Sequence, residues 1–165
     1  LALLVQRGED VVLDLVGWPQ KGDPILDEVQ ALAREKGIAD RVFYHGYKPV
    51  GPELFAYYKQ ADIYVIASTF EGFPRTVWEA MAHSLPVVAT RVGSIPMFLE
   101  AGKTVMLVEP ENAFALAQGI SLLLKDKDLY STLINQGYIL ARQNTLEERA
   151  VEIVDHLASW LESSG

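Results

Sequence analysis

The sequence predicts an α/β domain built on a mostly parallel sheet and ending in a helical carboxyl-terminal segment. Short apolar runs of strand length alternate with longer stretches of helical period, and turn residues fall between them. Parallel strands need crossover connections, which the intervening helices supply. From Asn112 onward the period is helical throughout.

Asp10 to Val16 (DVVLDLV) reads as a buried strand, closed by Gly17-Trp18-Pro19. The polar loop Gln20 to Asp23 leads to a helix opened by Pro24, on which Leu26, Val29, Ala31, Leu32 and Ile38 roughly follow the helical period, with Lys36-Gly37 as its stop. Arg41 to His45 is the next strand. Pro52, tolerated in a first helical turn, starts a short helix through Leu54, Phe55, Tyr57 and Tyr58. Asp62 to Ala67 (DIYVIA) is a third strand, Ser68 to Pro74 a loop, and Arg75 to Ser84 a helix. Pro86 to Thr90 is a fourth strand, followed by a short helix near Ile95 to Glu100 and a last strand near Thr104 to Val108. The helical remainder breaks at Asp126-Lys-Asp128 and near Asn144. In its final helix Leu146, Ala150, Ile153, Val154, Leu157 and Leu161 share one face, which predicts an amphipathic, packed element.

The 165 residues, 50% apolar and 10% aromatic, suffice for one sizeable core and not for two catalytic domains. A net charge of −8 argues against broad affinity for nucleic acid or anionic membrane, both of which need clustered positive charge. The absence of cysteine excludes a disulfide framework, a thiolate metal site and a cysteine nucleophile. Leu1-Ala-Leu-Leu-Val5 is short, runs into Gln6-Arg7 and does not read as a signal peptide. No apolar run approaches the roughly 20 residues that cross a bilayer.

The chemistry concentrates in Ser68 to Thr90, STFEGFPRTVWEAMAHSLPVVAT. It sets an acidic, Gly-containing loop at the carboxyl end of one strand, where open parallel sheets bind ligands, followed by a helix start. The free backbone N–H groups near Arg75, Thr76 and Val77 favour an anion such as a phosphate. Glu71 and Glu79 have seven residues between them, and a loop-to-helix transition lets both approach one pocket from different sides. Carboxylates only accept hydrogen bonds, so sugar diols suit them. Taken alone, Glu71 could equally be a solvated loop carboxylate, Glu79 a surface helix residue and Arg75 an exposed first-turn cation, while Trp78 reads as core. His45, His83 and His156 share no metal-like spacing and read as structural, with His45 the best functional candidate. Asp126-Lys-Asp128 formally matches an Asp-x-Asp metal pattern and reads as a solvated turn.

These residues resemble the carboxyl-terminal, nucleotide-sugar-binding domain of group 1 (family 4) retaining glycosyltransferases of GT-B architecture. The likeness runs through Leu15-Val-Gly17, Asp40-Arg-Val-Phe-Tyr-His-Gly46, Ala61-Asp-Ile-Tyr-Val65, the Glu71-to-Glu79 segment, Glu79-Ala-Met-Ala82, Pro86-Val-Val-Ala-Thr90 and Leu107-Val-Glu-Pro110, in order. It implies one Rossmann-like, doubly wound domain over residues 1–165, helical over about 112–165. It also implies that Glu71 contacts hydroxyls of the donor sugar as the catalytic carboxylate, with the amides of Gly72 and Phe73 near that sugar. Glu79 would hold the ribose diol, Arg75 and the amides of Thr76 and Val77 the phosphate, and Gly46, Tyr47 and Lys48 the base. The implied partners are a nucleotide-diphosphate-sugar donor and a saccharide or lipid-linked acceptor, with no cofactor, no metal and no nucleic acid. A cytoplasmic setting in polysaccharide biosynthesis follows from the same likeness, with peripheral membrane association open to a longer form.

The chain departs from the family pattern at Ala67, usually Pro, at Met97, usually acidic, and at Val105, usually Gly. Relatives also have an earlier, central strand and a basic Arg and Lys pair that neutralises the diphosphate. Without them a gap is expected between the strands beginning at Asp10 and Asp62. Such a chain is expected to be a fragment of a longer transferase or a domain whose open edges are closed by another chain, through a homo-oligomer or strand exchange. Catalysis in the family occurs between two domains, so this chain alone is expected to bind donor weakly and to turn nothing over. A sugar-nucleotide epimerase and a non-catalytic α/β module that binds a nucleotide or a partner are the competing readings.

Overall fold

The computed structural model describes residues 1–17 and 24–163, so Trp18, Pro19 and the loop Gln20 to Asp23 lie outside the described residues. The first half runs α1 (Ala2–Gln6), β1 (Leu13–Leu15), α2 (Ile25–Glu35), a 3-10 turn (Ala39–Arg41), β2 (Val42–Tyr44), α3 (Pro52–Gln60) and β3 (Tyr64–Ile66). It continues with α4 (Arg75–Ala82), β4 (Val87–Thr90), α5 (Ile95–Phe98), β5 (Met106–Val108), α6 (Ala113–Lys125), α7 (Lys127–Arg142) and α8 (Leu146–Ser163). Every strand pair is parallel. Leu13 lies opposite Val42, Tyr64 opposite Val87 and Val88 opposite Met106.

The core is organised around β4, which lies between β3 and β5 and is buried along its whole length. Successive strand side chains point to opposite faces. Val87 and Ala89 accordingly join Val77, Ala80 and Met81 of α4, Ile95, Val105 and Ala141 in one cluster. Val88 joins Val108, Leu123 and Leu133 in the other. Helix α7 serves both, with Ala141 in the first and Leu133 in the second. Two glycines permit the close helix contacts: a Cβ on Gly137 would lie 3.2 Å from Met81 Cγ, and one on Gly119 would lie 3.1 Å from Met106 Cγ. Val105, at the position where the family favours Gly, is fully buried in this core.

Asn112 Oδ1 accepts the Ala115 amide at the start of α6, and Asp126 Oδ1 accepts the amides of Asp128 and Leu129 at the start of α7. The Asp126-Lys-Asp128 break is thus a helix cap. Near the amino terminus, the Glu9 carboxylate receives the Ser121 hydroxyl and the Lys125 ammonium of α6.

One feature agrees with the sequence reading and two differ from it. The strands form two ladders, β1-β2 and β3-β4-β5, with no pairing between β1 and β3. This is the expected gap. It also leaves the Asp10 to Val16 run less buried than its composition suggests, with Val12 and Asp14 exposed and Leu13 and Leu15 half-buried. The second difference is α8, whose apolar face is not packed: Leu146, Ile153, Val154, Leu157 and Leu161 are all more than half exposed. Periodicity shows which residues share a face, but the burial of that face needs a partner surface. Among the described residues, no helix is long and apolar enough to cross a membrane.

The contrast between α7 and α8 is testable by denaturant unfolding. Leu133→Ala, at a fully buried position, is expected to cost about 2–5 kcal/mol. Leu157→Ala is expected to stay within about 0.5 kcal/mol of the parent.

Candidate functional site

The loop between β3 and α4 is held at both ends by hydroxyl groups. Thr90, at the carboxyl end of β4, donates its Oγ1 hydrogen to the Ser68 carbonyl at 2.6 Å. Beyond it, Ser94 gives two hydrogen bonds to the Gly72 carbonyl, from its amide at 3.0 Å and its hydroxyl at 2.7 Å. Gly93 makes this approach possible. Its φ is +55°, and a Cβ there would stand 1.9 Å from the Glu71 carbonyl oxygen. Phe73 then stacks on Trp78 at 4.8 Å and meets Phe98 edge-on, so Trp78 is a half-buried support for the loop.

This frame presents both glutamates. Glu71 is half-buried, and its Oε1 accepts the Ser68 hydroxyl at 2.8 Å. Glu79, one helical face further on, accepts the Tyr58 hydroxyl on Oε2 at 3.0 Å. Its Oε1 lies 3.9 Å from the guanidinium of the exposed Arg75. On β3, the Tyr64 hydroxyl donates to Thr76 Oγ1 at 2.7 Å. Partial burial raises the Tyr64 pKa against the lowering effect of the Thr76 hydrogen bond, and the charges of Glu79 and Glu71 add to the rise. Burial, the Glu79 hydrogen bond and the Glu79 charge likewise push the Tyr58 hydroxyl up.

At the start of α4 the Val77 amide donates to the Pro74 carbonyl at 3.1 Å. The amides of Arg75 and Thr76 precede any intrahelical partner and remain available as donors. His83 ends the same helix. Its Nδ1 donates to the Glu79 carbonyl at 2.7 Å, and its ring stacks on Tyr58. Both contacts tie His83 into the fold.

The segment Gly46-Tyr47-Lys48 follows β2. The Gly46 carbonyl accepts the Gly17 amide at 3.0 Å, and the Lys48 ammonium lies over the Tyr57 ring. His45 shares a hydrogen bond of 2.6 Å with Asp14 and also packs beside Tyr57. Helix α3 thus joins the two groups, with Tyr57 against the segment and Tyr58 against Glu79. A cleft of about 290 Å³ opens at the same end of the sheet, lined by Ala67, Thr90, Glu109, Glu111, Asn112 and Leu116. A larger concavity of about 430 Å³ lies against α8, among Gln143, Arg149 and His156, and holds none of the predicted site residues. Sequence reasoning missed Tyr58, Ser68, Gly93 and Ser94. Tyr58 follows the apolar period of its helix, Gly93 and Ser94 meet partners distant in sequence, and Ser68, though it bonds Glu71 three residues on, reads as an ordinary polar loop residue.

A sequence model described as "Glycosyl transferases group 1" matches residues 1–139. The D-inositol 3-phosphate glycosyltransferase of Corynebacterium glutamicum (strain R) is 32% identical over 130 residues, which are 78% of this chain and 31% of that protein. The chain therefore spans about a third of the length of that relative. Among solved structures, Anabaena Alr3699/HepE in complex with UDP superposes with a TM-score of 0.78 at 26% identity, over 93% of this chain and 41% of that one. The carboxyl-terminal domain of a group 1 family glycosyl transferase (LpcC) from Francisella tularensis shares the fold, with a TM-score of 0.77 at 24% identity, over 87% of this chain and 74% of that one.

Two predictions follow the geometry. Gly93→Ala is expected to displace the Glu71-Gly72 turn and to destabilise the protein by at least about 1 kcal/mol, read from thermal unfolding. The raised Tyr58 pKa stabilises the fold fully below the ordinary value of 10, and that contribution is lost as pH climbs from 10 toward the higher folded value. Denaturant titrations above pH 10 should therefore show stability falling more steeply in the parent than in Tyr58→Phe.

Proposed function

The chain belongs to the group 1 glycosyl transferases, and we propose that it is the donor-binding half of a retaining enzyme that moves a hexosyl-type sugar from a nucleoside diphosphate to a saccharide or lipid-linked acceptor. The observation that carries this reading is the placement of Glu71 in the loop that leads into α4 and of Glu79 on α4 itself, each with one carboxylate oxygen held by a hydroxyl, beside the available amides at the start of that helix. Glu71 accepts hydrogen bonds from the donor sugar, with the amides of Gly72 and Phe73 alongside. Glu79 accepts them from the ribose diol. Gly46, Tyr47 and Lys48 line the base, with the Gly46 carbonyl engaged by Gly17.

In this reading the bond from the anomeric carbon to the diphosphate breaks with its electron pair leaving on the diphosphate, while an acceptor hydroxyl oxygen bonds to that carbon and its proton passes to the leaving diphosphate. Stabilising that charge is the main catalytic demand. The Arg75 and Thr76 amides and the α4 dipole supply part of it, with Val77 contributing once its bond to Pro74 loosens. The Arg75 guanidinium, 84% exposed, is free to swing from Glu79 toward the phosphate. The reading invokes no metal ion, and Asp126 is already engaged as the cap of α7. Acceptor contacts fall to the part of the relatives that this chain does not span, so donor binding is the activity to measure here.

Titration with uridine, guanosine and adenosine diphosphates tests the reading. Saturable binding of one of them is expected, weakened at least about tenfold by Glu79→Ala, since a hydrogen bond to a charged group carries about 1.5–3 kcal/mol. No saturable binding by the folded chain would instead favour a module that binds a partner.

A further inference from the structure

We infer that Tyr58 and Ser68 are positioning residues for the two glutamates: each hydroxyl occupies one carboxylate oxygen and thereby reserves the other for the ligand. The inference rests on the roles given to Glu71 and Glu79 above. The two contacts are alike in kind, Tyr58 to Glu79 Oε2 at 3.0 Å and Ser68 to Glu71 Oε1 at 2.8 Å. A carboxylate is acceptor-only and rotates about its terminal bond unless one oxygen is held. Holding it orients the second oxygen before a ligand arrives, which lowers the entropy lost on binding.

Each donor is itself fixed. Tyr58 is 8% exposed, stacks on His83 at 5.1 Å and 18°, and lies 6.0 Å from Tyr64. His83 is anchored in turn by its bond to the Glu79 carbonyl, so three side chains and one helix turn close on themselves. Ser68 is anchored through its own carbonyl, which Thr90 grips from the end of β4. On the ligand side, Glu79 Oε1 has, among the described residues, only the Arg75 contact at 3.9 Å, too long for a hydrogen bond. Packing alone does not call for the Tyr58 hydroxyl, because a phenylalanine ring would fill the same space and would carry no polar group to desolvate.

The test is calorimetric titration of the parent chain, Tyr58→Phe and Ser68→Ala with uridine, guanosine and adenosine diphosphates, their 2′,3′-dideoxy counterparts and their glucose esters. Tyr58→Phe is expected to weaken the bound diphosphate about tenfold and to change its dideoxy counterpart by less than about twofold. In a Glu79→Ala background the same substitution should change nothing further. Ser68→Ala should leave the diphosphate unaffected and remove affinity contributed by the glucosyl group. Equal losses for the ribose and dideoxy forms, or no loss in either variant, overturn the inference. Should Tyr58→Phe fail to fold, Ser68→Ala, in a half-buried loop, decides the matter alone. Binding that responds to Glu79→Ala but to neither hydroxyl deletion sinks the positioning role and spares the functional reading. A parent chain that binds none of the diphosphates sinks both.

Discussion

Four consecutive residues, Val87 to Thr90, lose contact with water on both faces of β4, and the surrounding elements are arranged to make that desolvation tolerable. The backbone groups of β4 are paired on either side by β3 and β5. Its odd and even side chains enter separate clusters roofed by α4 on one face and by α6 and α7 on the other. The strand ends in Thr90, whose buried hydroxyl must find an acceptor and finds the Ser68 carbonyl. The same requirement that closes the core therefore fixes the start of the loop that carries Glu71. In this sense the site is an extension of the hydrogen-bond accounting of the central strand.

Much of this was legible in the sequence, because it depends on local pattern. The run PVVAT between a small-residue helix and a short helix reads as a buried strand, and STFEGFP reads as the loop at a strand's carboxyl end. What was not legible depends on contacts across the chain. Tyr58 looks like one more apolar position of α3, yet its hydroxyl meets a carboxylate from α4. Ser94 and Gly93 look like an ordinary turn, and their importance appears only when the Gly72 carbonyl is found seated on them. The apolar face of α8 has a clear period, but no period carries information about what lies opposite. The Asp10 strand shows the same limit, since its apolar run predicts burial, whereas among the described residues β1 pairs with β2 alone.

An acidic protein that is to bind an anionic donor needs local rather than global electrostatics. The net charge of −8 disfavours approach of a diphosphate at long range, and two carboxylates stand in the site itself. Oriented amides at a helix start act within one turn and are little affected by the sign of the whole molecule. The carboxylates would serve the opposite task, selecting hydroxyl-rich parts of a ligand that neutral donors would recognise less sharply. Under the proposed function, that division would place the attraction for phosphate on backbone and the recognition of sugar on side chains.

Helix α7, which lends Ala141 to one face of the sheet and Leu133 to the other, also bears on how the protein comes apart. A helix shared by two hydrophobic clusters makes them a single cooperative unit, because neither can open without releasing the other. Among the described residues no strand links the β1-β2 ladder to that unit, and its ties run through groups such as Glu9 on Lys125 and Tyr57 beside His45. Amide protons of β4 and α7 should thus exchange only with global unfolding, while those of β1 and β2 are released by a smaller, earlier opening.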